Sequence, residues 1–210
     1  MLYIDKTYFT KQLSVSGTEE PTSDATTELN TSIDRYVSQF LKLTLGNVLF
    51  AELKSNTTNG ELQNTAPQKW KNLIDGCNYT IDGIVYTWQG VRYTEGAFKV
   101  SLLANFVYCN QFQSNINSRL GQVLVEGKNS NVVDSTPHLV DIWNEFVEMY
   151  QGNSIYYRHS RVNTIDFDCI TCEDRPISGY VSYLQFLLDN KSDYPNVPAQ
   201  SIEYKNSLGI

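Results

Sequence analysis

Two cysteines, Cys169 and Cys172, stand in a C-x-x-C spacing inside the run DFDCITCEDRP, from Asp166 to Pro176. That spacing suits a redox dithiol or half of a zinc site. Zinc needs four ligands, most often a second such pair or closely spaced histidines. Cys77 and Cys109 make no second pair, and the nearest histidine, His159, stands alone. A dithiol needs a thiol pKa lowered by cations or a helix N-terminus. Asp166, Asp168, Glu173 and Asp174 surround the pair instead, opposed by Arg175 alone. Negative neighbours disfavour a thiolate. The run therefore reads as an acidic loop with two small half-buried residues. A metal- or redox-active protein working through Cys169 and Cys172 is the alternative.

Other chemistry has less to stand on. His138 falls in the first turn of an expected helix, a position that suits a solvated side chain better than a catalytic base. No G-x-S-x-G, Walker A, G-x-G-x-x-G or H-E-x-x-H run occurs. The carboxylate pairs Glu19-Glu20 and Glu173-Asp174 lie in polar loops. No catalytic, cofactor-binding or metal-ligating residue is assigned, and no enzyme activity is expected.

The elements that would carry any site follow from periodicity. Residues 1–30 open with Leu2-Tyr3-Ile4 and turn polar (SVSGTEEPTSDATTELN), so they read as an extended N-terminal arm. Thr31-x-x-Asp34 resembles a capping box, and Ile33, Tyr36, Val37, Phe40 and Leu41 follow at helical spacing. Gly46 should break this helix, with Val48, Leu49 and Leu53 continuing it as a shorter one. KSNTTNGELQNT reads as a polar loop. Pro67 and Gly76 bracket a short amphipathic helix carrying Trp70, Leu73 and Ile74. Asp82-Gly83 marks a hairpin over 79–93 in which Ile84, Tyr86 and Trp88 share a face. The run AFKVSLLANFVYCNQF is apolar nearly all round and reads as a central buried helix with Cys109 in its core. GQVLVEG could add a strand. Thr136 and Pro137 start, and Gly152 ends, a helix with the stripe Leu139, Ile142, Trp143, Phe146, Val147 and Tyr150. A last helix is expected around Tyr180, Tyr183, Leu184, Leu187 and Leu188, ahead of an extended tail. The expected fold is mainly α, a helical bundle with one β-hairpin and extended terminal arms. It divides into an arm (1–30), a helical core (31–152) and a C-terminal extension (153–210).

Bulk properties exclude several roles. A chain of 210 residues can bury a full core without disulfides or metal. Its formal net charge of -7 argues against wrapping nucleic acid, which clustered Lys and Arg would grip. DNA passing nearby would be repelled and stay mobile. No apolar leader or membrane-length run is present, so a cytosolic setting with reduced cysteines is expected. The chain holds 14 tyrosines, 9 phenylalanines and 3 tryptophans, several in weakly periodic terminal segments. Tyr3, Tyr8, Phe9, Tyr156, Tyr157, Tyr194 and Tyr204 suit interfaces, or are scattered surface residues. Both readings stay open at this level.

One ordered series adds to this. LTLGNVLFAEL is followed by WKNLIDG, YTIDGIVYTWQGVRY, GAFKVSLLANFVYCNQF, a loop with GKNSN, and DIWNEFVEMYQG. The series, roughly Ile33 to Gly152, resembles the head–tail connector (adaptor) proteins of tailed phages, especially those of crAss-like and other Bacteroidetes phages. The resemblance implies a small helical-bundle protomer, assembled as a homo-oligomeric ring, usually dodecameric, at the virion neck. Its partners would be the portal protein and other ring or tail proteins. DNA would pass through the channel without sequence-specific binding, and no membrane, cofactor or catalytic residue is implied. The region after Gly152, with the C-x-x-C, departs from a minimal connector. A surface binding module using the spare tyrosines is a further alternative.

Overall fold

A computed structural model of the chain describes residues 3–119, 136–152, 179–198, 200 and 202–203. The C-x-x-C run, His159, GQVLVEG, Tyr156, Tyr157 and Tyr204 lie outside the described residues.

The first long helix starts earlier than its Thr31 signal. Ser23 caps it, its Oγ accepting from the Thr26 N–H at 3.1 Å, and α1 runs Asp24–Ser55. Leu29 extends the apolar stripe back one turn from Ile33, and both are fully buried. The expected break falls at Gly46, whose φ of 77° and ψ of 169° interrupt the helix before Val48. The supposed polar loop then folds into a miniature hairpin, β1 (Thr57–Thr58) against β2 (Glu61–Leu62). Asn59 and Gly60 both take positive φ there, as a two-residue primed turn requires.

Helix α2 (Gln68–Asp75) buries Trp70, Leu73 and Ile74 as expected, between Pro67 and Gly76. Strands β3 (Cys77–Ile81) and β4 (Ile84–Trp88) pair antiparallel around Asp82-Gly83. Tyr86 and Trp88 are buried, while Ile84, on the same face, sits at the exposed tip. The expected hairpin ends there. Residues from Arg92 enter a second hairpin, β5 (Arg92–Glu95) with β6 (Phe98–Ser101). Helix α3 (Leu102–Arg119) begins only after it, and α4 (Thr136–Gln151) follows. Strand β7 (Gly179–Tyr180) pairs parallel with β4, giving the order β3-β4-β7, and α5 (Tyr183–Asp189) closes the described helices.

The fold is therefore α+β, about 53% helix and 16% strand, and not the mainly α bundle with extended arms that periodicity suggests. Two physical causes explain the difference. Phe98-Lys99-Val100-Ser101 alternates apolar and polar residues as a strand does, but over four residues the signal is too short to stand apart from the apolar stretch over 102–109 that follows it. The pairing with β5 decides for a strand. The N-terminal segment is also no extended arm. It forms two 3-10 turns, Lys6–Tyr8 and Lys11–Leu13, and buries Tyr3, Ile4, Phe9 and Leu13 on its own chain. Such turns carry no helical stripe for periodicity to detect.

Aromatic rings build the core. Phe40 of α1 meets Phe106 of α3 at 5.2 Å, Phe146 and Tyr150 of α4 at 5.8 and 6.0 Å, and Tyr183 of α5 at 5.5 Å. Trp88 stacks on Phe186 at 5.5 Å, joining the three-stranded sheet to α5. Tyr194 packs on Trp70 at 5.8 Å and donates to the Lys69 carbonyl. The terminal aromatics Tyr3, Phe9 and Tyr194 thus serve this chain's own core. They are neither interface nor scattered surface residues.

Candidate interaction surface

Polar contacts fix Tyr3 on one side and Gln200, Ile202 and Glu203 on the other. Arg92 on β5 is the main tie. Its Nη1 donates to the Tyr3 carbonyl at 2.6 Å, and its Nη2 pairs with Glu61 at 2.7 Å and Asp75 at 3.1 Å. One guanidinium thereby joins the N-terminal segment, β2 and the end of α2. Geometry of this kind uses the fixed fork of arginine, which lysine lacks. At the other end, the Tyr150 hydroxyl and the Trp143 indole donate to the Gln200 and Glu203 carbonyls, both at 2.9 Å. The Gln151 amide bonds both ways with the Ile202 backbone, at 2.9 and 2.8 Å.

Helix α4 also carries one half-buried acid. Glu145 accepts from Gln12 Nε2 at 2.6 Å, and His138 Nε2–H donates to the Gln12 carbonyl at 2.8 Å. His138 is exposed, as its place in the first turn suggested, and it holds the N-terminal segment. Burial raises the Glu145 pKa, with Glu148 adding to the rise, while the neighbouring Asn105 and Gln12 amides oppose it. The Asn105 amide is close enough to favour the charged form. Its Nδ2 nevertheless has no hydrogen-bond partner, although Asn105 is only 2% exposed.

Two hollows flank this helix and meet at Tyr93 and Met149. One, of about 480 Å³, lies between the N-terminal turns, the β5–β6 hairpin and α4. The other, of about 320 Å³, reaches Trp88, Gly152 and Tyr180 beside β4 and β7. Glu95, Glu145 and Glu148 line them, and none of the three makes an ion pair among the described residues. Tyr93 stands between the hollows. Burial raises its pKa, and Glu95, Glu145 and Tyr180 raise it further. Lys11 and Lys99 line the larger hollow but are engaged at its N-terminal end. Lys11 Nζ lies 3.3 Å over the Phe98 ring, and Lys99 Nζ donates to Thr7 Oγ1 at 2.7 Å.

The raised Glu145 pKa has a measurable consequence. The folded state holds the Glu145 proton more tightly than the unfolded chain, so this group's contribution to stability falls as pH rises between the unfolded and folded pKa values. Glu145→Gln should remove that penalty while keeping an oxygen for Gln12. The variant is expected to melt slightly higher than wild type at pH 7, by about 1–3 °C given solvent screening. The gain should vanish as pH falls below the glutamate range. Differential scanning calorimetry across pH 4–7 checks this.

Among the described residues, large apolar side chains stand exposed at three places. Ile84 and Val85 form the tip of the β3–β4 hairpin, Phe98 the tip of β5–β6, and Leu43 and Val48 flank the α1 break. Val85 is 56% and Val48 83% exposed. Tyr180, 69% exposed, pairs in register with Thr87, so it shares the outward sheet face with Val85.

Cys109 is buried, as its helix suggested, and Cys77 is half-buried with a thiol pKa raised by burial. Among the described residues no group of three His, Cys, Asp or Glu could hold a metal ion. Likewise, no described helix is long and apolar enough to cross a membrane. The Glu95–Glu145–Glu148 cleft has no signature in sequence spacing, because its walls come from four separate segments. The chain matches no protein-family model, no curated protein and no solved structure.

Proposed function

We propose that this chain is a structural virion protein, a subunit of a head–tail connector ring lying below the portal of a tailed phage. Its ring, a dodecamer in this reading, extends the DNA channel and joins capsid to tail without enzymatic chemistry. The observation carrying the proposal is the placement of exposed apolar residues at the tips of two hairpins, Ile84 and Val85 on one and Phe98 on the other. A closed core with apolar tips suits contacts between copies, since burying each such side chain gives about 1.5–3 kcal/mol. The ordered series from Ile33 to Gly152 points the same way. The α+β protomer departs from the small helical bundle that the resemblance implies, so support rests on the tips and the ordered series. A net charge of -7 agrees with DNA that passes without being gripped.

Electron microscopy of the purified protein, and of virions, should show rings, at the neck in the second case. A stable monomer that is absent from virions would sink the proposal. Ile84→Asp combined with Val85→Asp should weaken ring assembly by about tenfold or more in protein concentration while leaving the circular dichroism unchanged. Assembly at wild-type concentration would remove the hairpin tip from the interface.

A further inference from the structure

Two features of one copy cannot be matched within that copy. The first is the β3–β4 tip. Ile84 and Val85 are exposed there, and nothing lies within 4 Å of where a Cβ on Gly83 would stand, so the turn projects clear of the body. The second is the smaller hollow beside α4, of about 320 Å³, a size at the lower end of ordinary binding pockets. Trp88, Tyr93, Leu102, Met149 and Tyr180 give it an aromatic and apolar wall, and Glu148 is the one charged residue lining it. Trp88 lies on the same strand as Ile84, roughly 13 Å along it at the usual rise, so the tip cannot turn back into its own hollow. The other exposed apolar residues suit the hollow less. Lys11 Nζ already sits 3.3 Å over the Phe98 ring, and Leu43 and Val48 lie along α1 instead of at a projecting turn.

We infer that the smaller hollow of one copy receives Ile84 and Val85 from the hairpin tip of a second copy. The inference rests on the ring reading and deepens it, because that reading leaves open what the tip touches. Tip and hollow are different patches, so the contact runs head to tail. Each copy then gives one tip and accepts one, which can close a ring, whereas a contact between like patches would stop at a dimer. Branched aliphatic side chains would lie against Trp88 and Tyr93, with the flexible Met149 adapting to their shape. Asp82 on the tip and Glu148 at the hollow are both exposed, so each carboxylate can stay in water at the rim. Copies carrying a net charge of -7 repel one another over most of their surface, and an uncharged contact adds no buried carboxylate to that cost.

The test is complementation between two full-length variants, followed by analytical ultracentrifugation. The tip variant carries Ile84→Asp and Val85→Asp, and the hollow variant carries Gln89→Asp and Tyr180→Asp. Each alone should need about tenfold or more protein than wild type to form rings. Mixed in equal amounts they should form a one-to-one pair and nothing larger, since one intact tip and one intact hollow remain between them. Both variants carry the same added charge, so general repulsion predicts no pair. A hollow variant that assembles alone as wild type does overturns the inference, because the tip then needs no hollow. A mixture that stays monomeric overturns it too. Should either double variant lose the wild-type circular dichroism, the single changes Val85→Asp and Tyr180→Asp at exposed positions carry the same test. The ring reading is scored separately on wild type by microscopy. Wild-type rings with no pair in the mixture overturn this contact alone, and a pair without wild-type rings overturns the ring.

Discussion

Gly90→Ala is expected to destabilise the protein by about 2–4 kcal/mol, read as a lower midpoint of a still cooperative urea transition. Gly90 has a φ of 94°, and a Cβ there would lie 2.6 Å from the Ile74 carbonyl oxygen and 2.7 Å from the Gly76 nitrogen. Gly76, with a φ of 87°, faces the reciprocal problem 2.5 Å from the Trp88 carbonyl oxygen. Two backbone segments cross here with no room for a side chain on either. The crossing lets Leu73 accept from both the Trp88 indole at 3.0 Å and the Val91 N–H at 3.2 Å. The end of α2 is thereby fixed to the link between β4 and β5. Gly83→Ala is the control. Gly83 also has positive φ, 81°, but nothing stands within 4 Å of its added methyl. Backbone strain alone should cost that variant about 1 kcal/mol. Urea denaturation of both variants separates collision from strain, and equal losses would refute the crossing as the cause.

Phe40→Ala should cost about 3–5 kcal/mol, the range for truncating a large ring in a packed core. Phe40 is 1% exposed and touches rings from α3, α4 and α5, so its removal opens a void that no single neighbour can fill. Phe40→Leu keeps most of the volume and should cost less than about 1.5 kcal/mol. Near-ultraviolet circular dichroism should fall sharply in the alanine variant, because the tyrosines packed against Phe40 lose their fixed setting. A loss below about 1 kcal/mol would mean that the cluster is not the centre of the fold.

Legibility in the sequence followed the range of the interactions. The α4 stripe, the α2 triad and the Asp82-Gly83 turn are local features, and the structure places each where periodicity and turn chemistry put it. The Gly46 break was equally local. Long-range pairing decided what periodicity could not. Phe98–Ser101 becomes a strand because Arg92–Glu95 lies opposite it. Tyr3 and Ile4 are buried through contacts such as Tyr3 Oη with Thr57 Oγ1 at 2.6 Å, 54 residues away in the chain. The start of α1 was hidden for a different reason. Thr26 and Thr27 weaken the apolar pattern, yet Thr26 turns its hydroxyl to the Glu20 carbonyl at 2.7 Å and is buried. Glu145 had a faint signal, since it borders the apolar stripe beside Met149. Its pairing with Gln12, 133 residues away, had none. The C-x-x-C run lies outside the described residues; its acidic neighbours and the lack of a second ligand pair, both visible in the sequence, are what argue against a reactive dithiol or a zinc site.

The clasp on α4 bears on how the chain reaches this fold. Gln12 and Glu203 hold the same helix from segments far apart in sequence, and Thr44 meets the Tyr183 hydroxyl at 2.9 Å across 139 residues. Contacts of such separation form late and slowly, because a long loop must close before they give anything back. During synthesis Phe40 and Phe106 emerge well before Phe146, Tyr150 and Tyr183. An aromatic surface on α1 and α3 therefore stays open until α4 and α5 arrive. Until Phe146, Tyr150 and Tyr183 have been made, that surface lacks its covering rings and is open to chaperones or to other nascent copies.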